Sequence, residues 1–170
     1  MPVVINGTTG ITGAPLNSGT AVASTSGTAI EFTGIPSWVK RITVMFQGVS
    51  TNGTSSMLIQ LGTGGTPTYT TSGYLGASST STGATITNFS TGFMVNNSVA
   101  AASVTHGNII ITNISSNSWT ENGNLALSDS ANTRLSAGSV SLGAALTALR
   151  ITTVTGTDTF DAGSINILYE

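Results

Sequence analysis

The chain has 170 residues and carries four Lys or Arg against six Asp or Glu, a formal net charge of −2. So few cations exclude a basic nucleic-acid-binding surface. The absence of Cys excludes a disulfide framework and a thiolate metal site, and no apolar run approaches the ~20 residues of a membrane-spanning helix, so no membrane insertion is expected.

Thr, Ser, Gly and Asn make up 87 of the 170 residues while the helix formers Glu, Lys, Arg and Gln are scarce, which predicts an all-β fold. Apolar residues, at 39%, are too many for a disordered chain, and the length suits one domain that buries roughly 70% of its unfolded surface. A surface of hydroxyls and amides has little long-range repulsion to hold copies apart, so the composition points to a protein that works in a packed assembly.

Residues 1–27 are rich in Gly, Thr, Ser and Ala and show neither the basic segment nor the long apolar run of a signal peptide. They read as an extended N-terminal arm, a docking or subunit-exchange segment that is either frayed or ordered by a neighbouring subunit. A β-sandwich domain over 28–170 follows. Thr28 to Thr33 is its first strand. From Arg41 to Gln47 the residues alternate, Ile42, Val44 and Phe46 on one face and Arg41, Thr43, Met45 and Gln47 on the other, the period-two pattern of a half-buried strand. Gly34-Ile35-Pro36-Ser37 is the corner leading into it, Asn52-Gly53 closes it, and Ser56 to Leu61 returns as its antiparallel neighbour.

Gly62 to Asn88 reads as a long polar loop with Tyr69, Tyr74, Leu75 and Ile86 as its packing residues. Loops longer than about 12–15 residues tend to be functional, which makes this the first place to look for a partner contact. Phe89, Thr91, Phe93 and Val95 alternate as a further strand. Asn108 to Ile114 is apolar on both sides and suits the middle of a sheet. Trp119 to Leu127 places Trp119, Leu125 and Leu127 on one face, around a turn or bulge at Asn122-Gly123. Val140 to Leu142, Leu149 to Thr153 and Ser164 to Tyr169 complete about eight or nine strands, matching an antiparallel two-sheet sandwich, jelly-roll-like in kind. Gly143 to Arg150 has the composition for a turn or two of helix, but the strands on both sides favour an extended conformation.

The chemistry-bearing residues are sparse. The single His, His106, lies in Val104-Thr105-His106-Gly107, and no GxSxG elbow occurs, so a nucleophilic triad has nothing to build on and His106 reads as structural or solvent-exposed. A glycosidase needs two carboxylates across a sugar, and the acids are only Glu31, Glu121, Asp129, Asp158, Asp161 and Glu170. Asp158 and Asp161 share one polar loop. Two carboxylates leave most of the roughly 6–8 oxygen ligands of Ca²⁺ unsupplied, so that loop reads as a turn in which the Asp side chains bond to nearby amides. Gly62 to Gly65 lacks the Lys and the helix of a phosphate loop. No catalytic residue, metal or cofactor is expected, and the chain reads as no enzyme. Trp38, Ile42, Val44, Phe46, Trp119 and Phe160 are the expected core or interface anchors; exposed, the Trp and Tyr residues would instead suit sugar stacking.

From about Glu31 to Glu170 the chain resembles a module found at or near the C-termini of tailed-bacteriophage tail-fibre and related virion proteins. The matching segments are FTGIPSWVKRITVMFQGVSTNG at Phe32 to Gly53, LIQLG at Leu58 to Gly62, SGY at Ser72 to Tyr74 and TGTDTFDAGSINILYE at Thr155 to Glu170. VINGTTGIT over Val4 to Thr12 also looks like the repeats of fibre proteins. The resemblance implies a non-enzymatic virion component, commonly a homotrimer, made in the bacterial cytoplasm and displayed on the virion surface. Tail fibres usually carry a long shaft and a tail-attachment domain ahead of such a module, whereas 30 residues precede Glu31 here. That arrangement looks more like a capsid decoration (cement) protein or short head fibre whose arm binds capsid subunits. The alternative is a tail-fibre tip in which the Gly62 to Asn88 segment and exposed aromatics hold a host surface glycan.

Overall fold

In the computed structural model, which describes residues 4–6, 10–12, 16–81, 85–97, 99–101 and 103–170, the described residues form sixteen strands and no helix. In chain order they are β1 (Val4–Asn6), β2 (Gly10–Thr12), β3 (Asn17–Ser18), β4 (Val22–Ala23), β5 (Ala29–Thr33), β6 (Arg41–Thr51), β7 (Met57–Thr63), β8 (Thr68–Tyr69), β9 (Leu75–Thr80), β10 (Ile86–Phe89), β11 (Phe93–Met94), β12 (Thr105–Ser115), β13 (Ser118–Leu127), β14 (Asn132–Ser141), β15 (Leu146–Thr153) and β16 (Phe160–Tyr169). Apart from β1 and β2, which pair with each other, they make two antiparallel sheets packed into a sandwich. The larger has the order β10-β9-β14-β13-β12-β6-β16-β3, with β4 also on β16; the smaller is β11-β7-β15-β5, with β8 also on β7. The count exceeds the expected eight or nine because several strands are two-residue pieces and because β9 and most of β14 show no apolar alternation.

The core lies between the sheets. Ile42, Val44 and Phe46 of β6 face inward as their alternation requires, with Ile109, Ile111, Trp119, Leu125, Ile165 and Ile167 beside them and Ile59, Leu61, Phe93, Leu149 and Ile151 opposite. Gly48, at φ +66°, then interrupts β6, and the pairing slips against both neighbours, between Thr105 and Gly107 on β12 and between Ala162 and Ser164 on β16. The extra residue inverts the inside–outside phase, so the odd-numbered Val49 follows the even-numbered Phe46 into the core. At the far end of the larger sheet Phe89 lies across Gly76 and Gly138, cross-strand partners whose missing side chains make room for its ring: a Cβ on either would fall within 2.7 Å of it.

Four expectations are corrected. Gly62 to Asn88 is not one loop, since it holds β8, β9 and the start of β10, with Tyr74 fully buried and its hydroxyl accepting the Leu61 N–H at 2.8 Å. Phe89 to Val95 is not one strand: Phe89 ends β10 in the larger sheet and Phe93 opens β11 in the smaller. Both aromatics enter one core from opposite walls, edge to face at 6.3 Å, which is why they alternate in sequence. Asn122-Gly123 forms neither turn nor bulge, because both residues are paired on both sides, with Ile110 and Ile109 of β12 and with Ala137 and Ser136 of β14. Two ladders outweigh the local turn preference.

The last correction concerns the second half of the arm, residues 16–27, which is held by its own domain. β3 and β4 pair with β16, the buried Ser24 donates its hydroxyl to Ala162 O at 2.8 Å, and Gly27 O accepts the Phe160 N–H at 2.9 Å. A backbone ladder does here what apolar side chains were expected to do. The expected docking function of residues 1–15 lies, but for the β1 and β2 backbone, outside the described residues. Gly143 to Arg150 is extended, entering β15 at Leu146.

Candidate interaction face

Across β12, β13, β14, β9 and β10 the charges lie on the buried side. These strands contain one Glu, one Arg and no Asp or Lys, and both charged residues, Glu121 and Arg134, point into the sandwich, each 3% exposed. The outward face carries only uncharged side chains around His106. The register places Leu135 beside Ser79 and Ile86 on one side and Asn124 and Asn108 on the other. In the next row Ala137 lies between Ala77 and Asn122, with Ile110 beyond. Of the six large hydrophobics left exposed among the described residues, four belong to these strands: Leu75 and Ile86 at 72%, Ile114 at 64% and Leu135 at 49%.

Beneath this face polar groups lie beside the apolar core residues Ile109, Ile111, Trp119 and Leu125. Ser136 donates to Glu121 Oε1 at 2.6 Å, while Glu121 Oε2 and the Ser78 hydroxyl meet no hydrogen-bond partner among the described residues. Burial pushes the Glu121 carboxyl up to about 7, against the opposing pull of the Ser136 hydrogen bond. Arg134 donates from Nε to Asn97 O at 2.8 Å and from Nη1 to Thr133 O at 3.3 Å; burial lowers its pKa and the charge of Asp129 counters that. Asn96 accepts the Met57 N–H at 2.8 Å and donates to Thr105 Oγ1 at 3.1 Å, tying the smaller sheet to the larger.

The expected anchors divide simply. Ile42, Val44, Phe46, Trp119 and Phe160 are buried between the sheets, and Trp38 packs half-buried against that core with its ring 6.0 Å from Tyr169. His106 Nδ1 accepts the Gly48 N–H at 3.2 Å, which leaves the proton on Nε2, facing Ser128 Oγ at 3.2 Å. It therefore braces the bulge. Asp158 accepts the Ser55 N–H at 2.9 Å and Asp161 accepts the Ser50 hydroxyl, so the two carboxylates serve separate contacts. Among the described residues no three His, Asp or Glu side chains gather as a metal site would require.

What sequence reading missed is the inward placement of Glu121 and Arg134, and with it the neutrality of the opposite face. The signal was present in the register: once β13 is phased by Trp119, Leu125 and Leu127, Glu121 falls inside. No family model, curated protein or solved structure matches the chain.

Proposed function

We propose that the chain is a non-enzymatic structural protein of a tailed-bacteriophage virion surface, a homotrimer whose copies pack through the outward face of β12, β13, β14, β9 and β10. In its simplest form it is a capsid decoration or short head-fibre protein, docked on capsid subunits by the part of the arm that precedes β3. The observation that carries the assembly reading is the absence of charge from the outward face of these five strands, with Glu121 and Arg134 inside and Leu75, Ile86, Ile114 and Leu135 exposed among Ser, Thr and Asn. A face without Asp, Glu, Lys or Arg meets other copies of this chain with no like-charge repulsion. Strands spaced about 4.8 Å apart and rising about 3.4 Å per residue give this face roughly 650 Å². Around a three-fold axis each copy divides this face between two neighbours, so three copies together bury roughly 1,950 Å². The virion assignment rests on the segments quoted from Phe32 to Gly53 and Thr155 to Glu170.

Sedimentation equilibrium of the purified chain tests the assembly: the expected mass is three times the 17.0 kDa of one chain, and a monomer at micromolar concentration overturns it. Immunogold labelling of intact particles tests the location. Label over the head agrees with decoration, label confined to the tail tip moves the protein to the adhesin class, and unlabelled particles remove the virion reading.

A further inference from the structure

Arg150 projects from β15 on the outward side of the smaller sheet, between its cross-strand partners Gln60 of β7 and Glu31 of β5. Its Nε donates to Gln60 Oε1 at 2.8 Å. Gln60 is itself buried and fixed, because its Nε2 donates to Thr91 O at 2.7 Å. The guanidinium carbon stands 4.4 Å from the centroid of the Tyr69 ring, which packs on Gly62. Burial first, and the neighbouring Glu31 second, push the Tyr69 hydroxyl up to about 12. A hydrogen bond on one edge and an aromatic face below thus fix the plane and rotation of the guanidinium.

None of these contacts uses the two Nη atoms. Among the described residues they have no hydrogen-bond partner, and Glu31 forms no ion pair with Arg150. The same side chain lines a cleft of about 230 Å³ together with Thr28, Gln60, Thr152, Thr155 and Gly156. Thr152 donates its hydroxyl to Thr28 O at 2.8 Å, which leaves the Thr152 oxygen lone pairs free to accept, while Thr155 Oγ1 already accepts from Thr157 at 3.0 Å and lies 3.5 Å from Thr153 Oγ1. A guanidinium needed only to pin Tyr69 has no use for a second restraint that holds its free edge beside a cleft of hydroxyls.

We propose that this cleft binds a polyhydroxy carboxylate of monosaccharide size, a hexuronate, with its carboxylate on the Nη edge of Arg150 and its hydroxyls on the threonine oxygens. A planar fork matches a carboxylate in bidentate geometry. Glu31 alongside opposes a dianion, which favours a singly charged ligand over phosphate. The volume falls below the roughly 300–1,000 Å³ of drug-sized sites and suits one sugar ring. The site lies on the sheet opposite the proposed assembly face, so either reading stands if the other fails.

The test is titration of the ¹⁵N-labelled full chain with glucuronate, glucose, acetate and inorganic phosphate, following the Arg150 Nε–H and the amides of residues 152–156. Glucuronate is expected to give saturable shifts, with acetate and glucose each weaker by about tenfold or more, the equivalent of one charge-assisted contact. Arg150→Gln should abolish the glucuronate shifts. Because that change also removes the stack on Tyr69, Arg150→Lys, which keeps the charge but loses the fork, serves as the folded control and should weaken binding. Thr28→Val should weaken glucuronate and leave acetate unchanged. No shift with glucuronate, equal binding of acetate and glucuronate, phosphate as the preferred ligand, or an Arg150→Lys chain that binds as well as the parent each overturns the proposal.

Discussion

Ser136 donates its hydroxyl to Glu121 Oε1 at 2.6 Å inside the sandwich, and the second carboxylate oxygen is buried without a partner among the described residues. A carboxyl whose folded-state pKa stands near 7 instead of the usual 4.5 favours the native state when protonated. Its contribution is complete below about pH 4.5, falls as pH rises toward 7, and is gone above that. The full span is about 3 kcal/mol. Urea unfolding at pH 5 and pH 8 should therefore show a drop in stability for the parent that is largely absent in Glu121→Gln. Parallel pH profiles for the two proteins would remove Glu121 as the cause.

The outward face makes a separate prediction. Leu135 and Ile86 are neighbours across Ser79, both largely exposed in the single chain. Substituting both with Glu should change the unfolding free energy of the isolated chain by no more than about 0.5 kcal/mol per site, yet sedimentation should show dissociation. Unchanged mass in the double variant would place the subunit contact elsewhere.

Gly48 separates two effects that are usually confounded. Its φ of +66° means Gly48→Ala should cost about 1–2 kcal/mol in backbone strain alone. Deleting Gly48 instead takes out the extra residue, so Phe46, Gln47 and Val49 alternate plainly, Val49 stays inward and both neighbouring strands keep their register, and the loss should be no larger than that of Gly48→Ala. A deletion variant with a denaturant midpoint far below that of Gly48→Ala would rule out the phase argument.

Under Phe89 the prediction concerns coupling. A Cβ on Gly138 would lie 2.7 Å from the Phe89 ring and 2.8 Å from Leu75 O, so Gly138→Ala should cost about 1–3 kcal/mol through overpacking. Phe89→Leu leaves space and also destabilises, but the double variant should be more stable than the sum of the two losses predicts. Additive losses in a double-mutant cycle would show that the backbone clash with Leu75, and not the ring, sets the penalty.

How much of this was readable beforehand depended on which side chains face the core. β6 and β13 could be phased because Ile42, Val44 and Phe46, or Trp119, Leu125 and Leu127, put apolar residues at every inward position they mark. β14 and β9 were hidden because their inward positions are Arg134, Ser136 and Gly138, and Gly76, Ser78 and Thr80; a strand whose buried side is polar or empty has no hydrophobic period to detect. Asn122-Gly123 misled for the opposite reason, a strong local turn signal overruled by ladders on both sides. The Arg150 cluster is assembled from β5, β7, β8 and β15, and no spacing within one segment announces a site that exists only through pairing.

The ladder between residues 17–23 and β16 also bears on how the chain reaches this state. β16 lies between β6 and the strap, with Val44 opposite Ile167 and Asn17 opposite Tyr169. The β3 end of the larger sheet is thus closed by pairings between early and late parts of the sequence, the kind that form slowly because a long loop must be ordered first. On the ribosome β6 has a bare edge until β16 emerges, and the strap has nothing to dock on before then. Each nascent chain therefore displays a sticky strand for most of its synthesis, and yield in the cell should respond to the rate of translation and to chaperone supply more than to the stability of the finished fold.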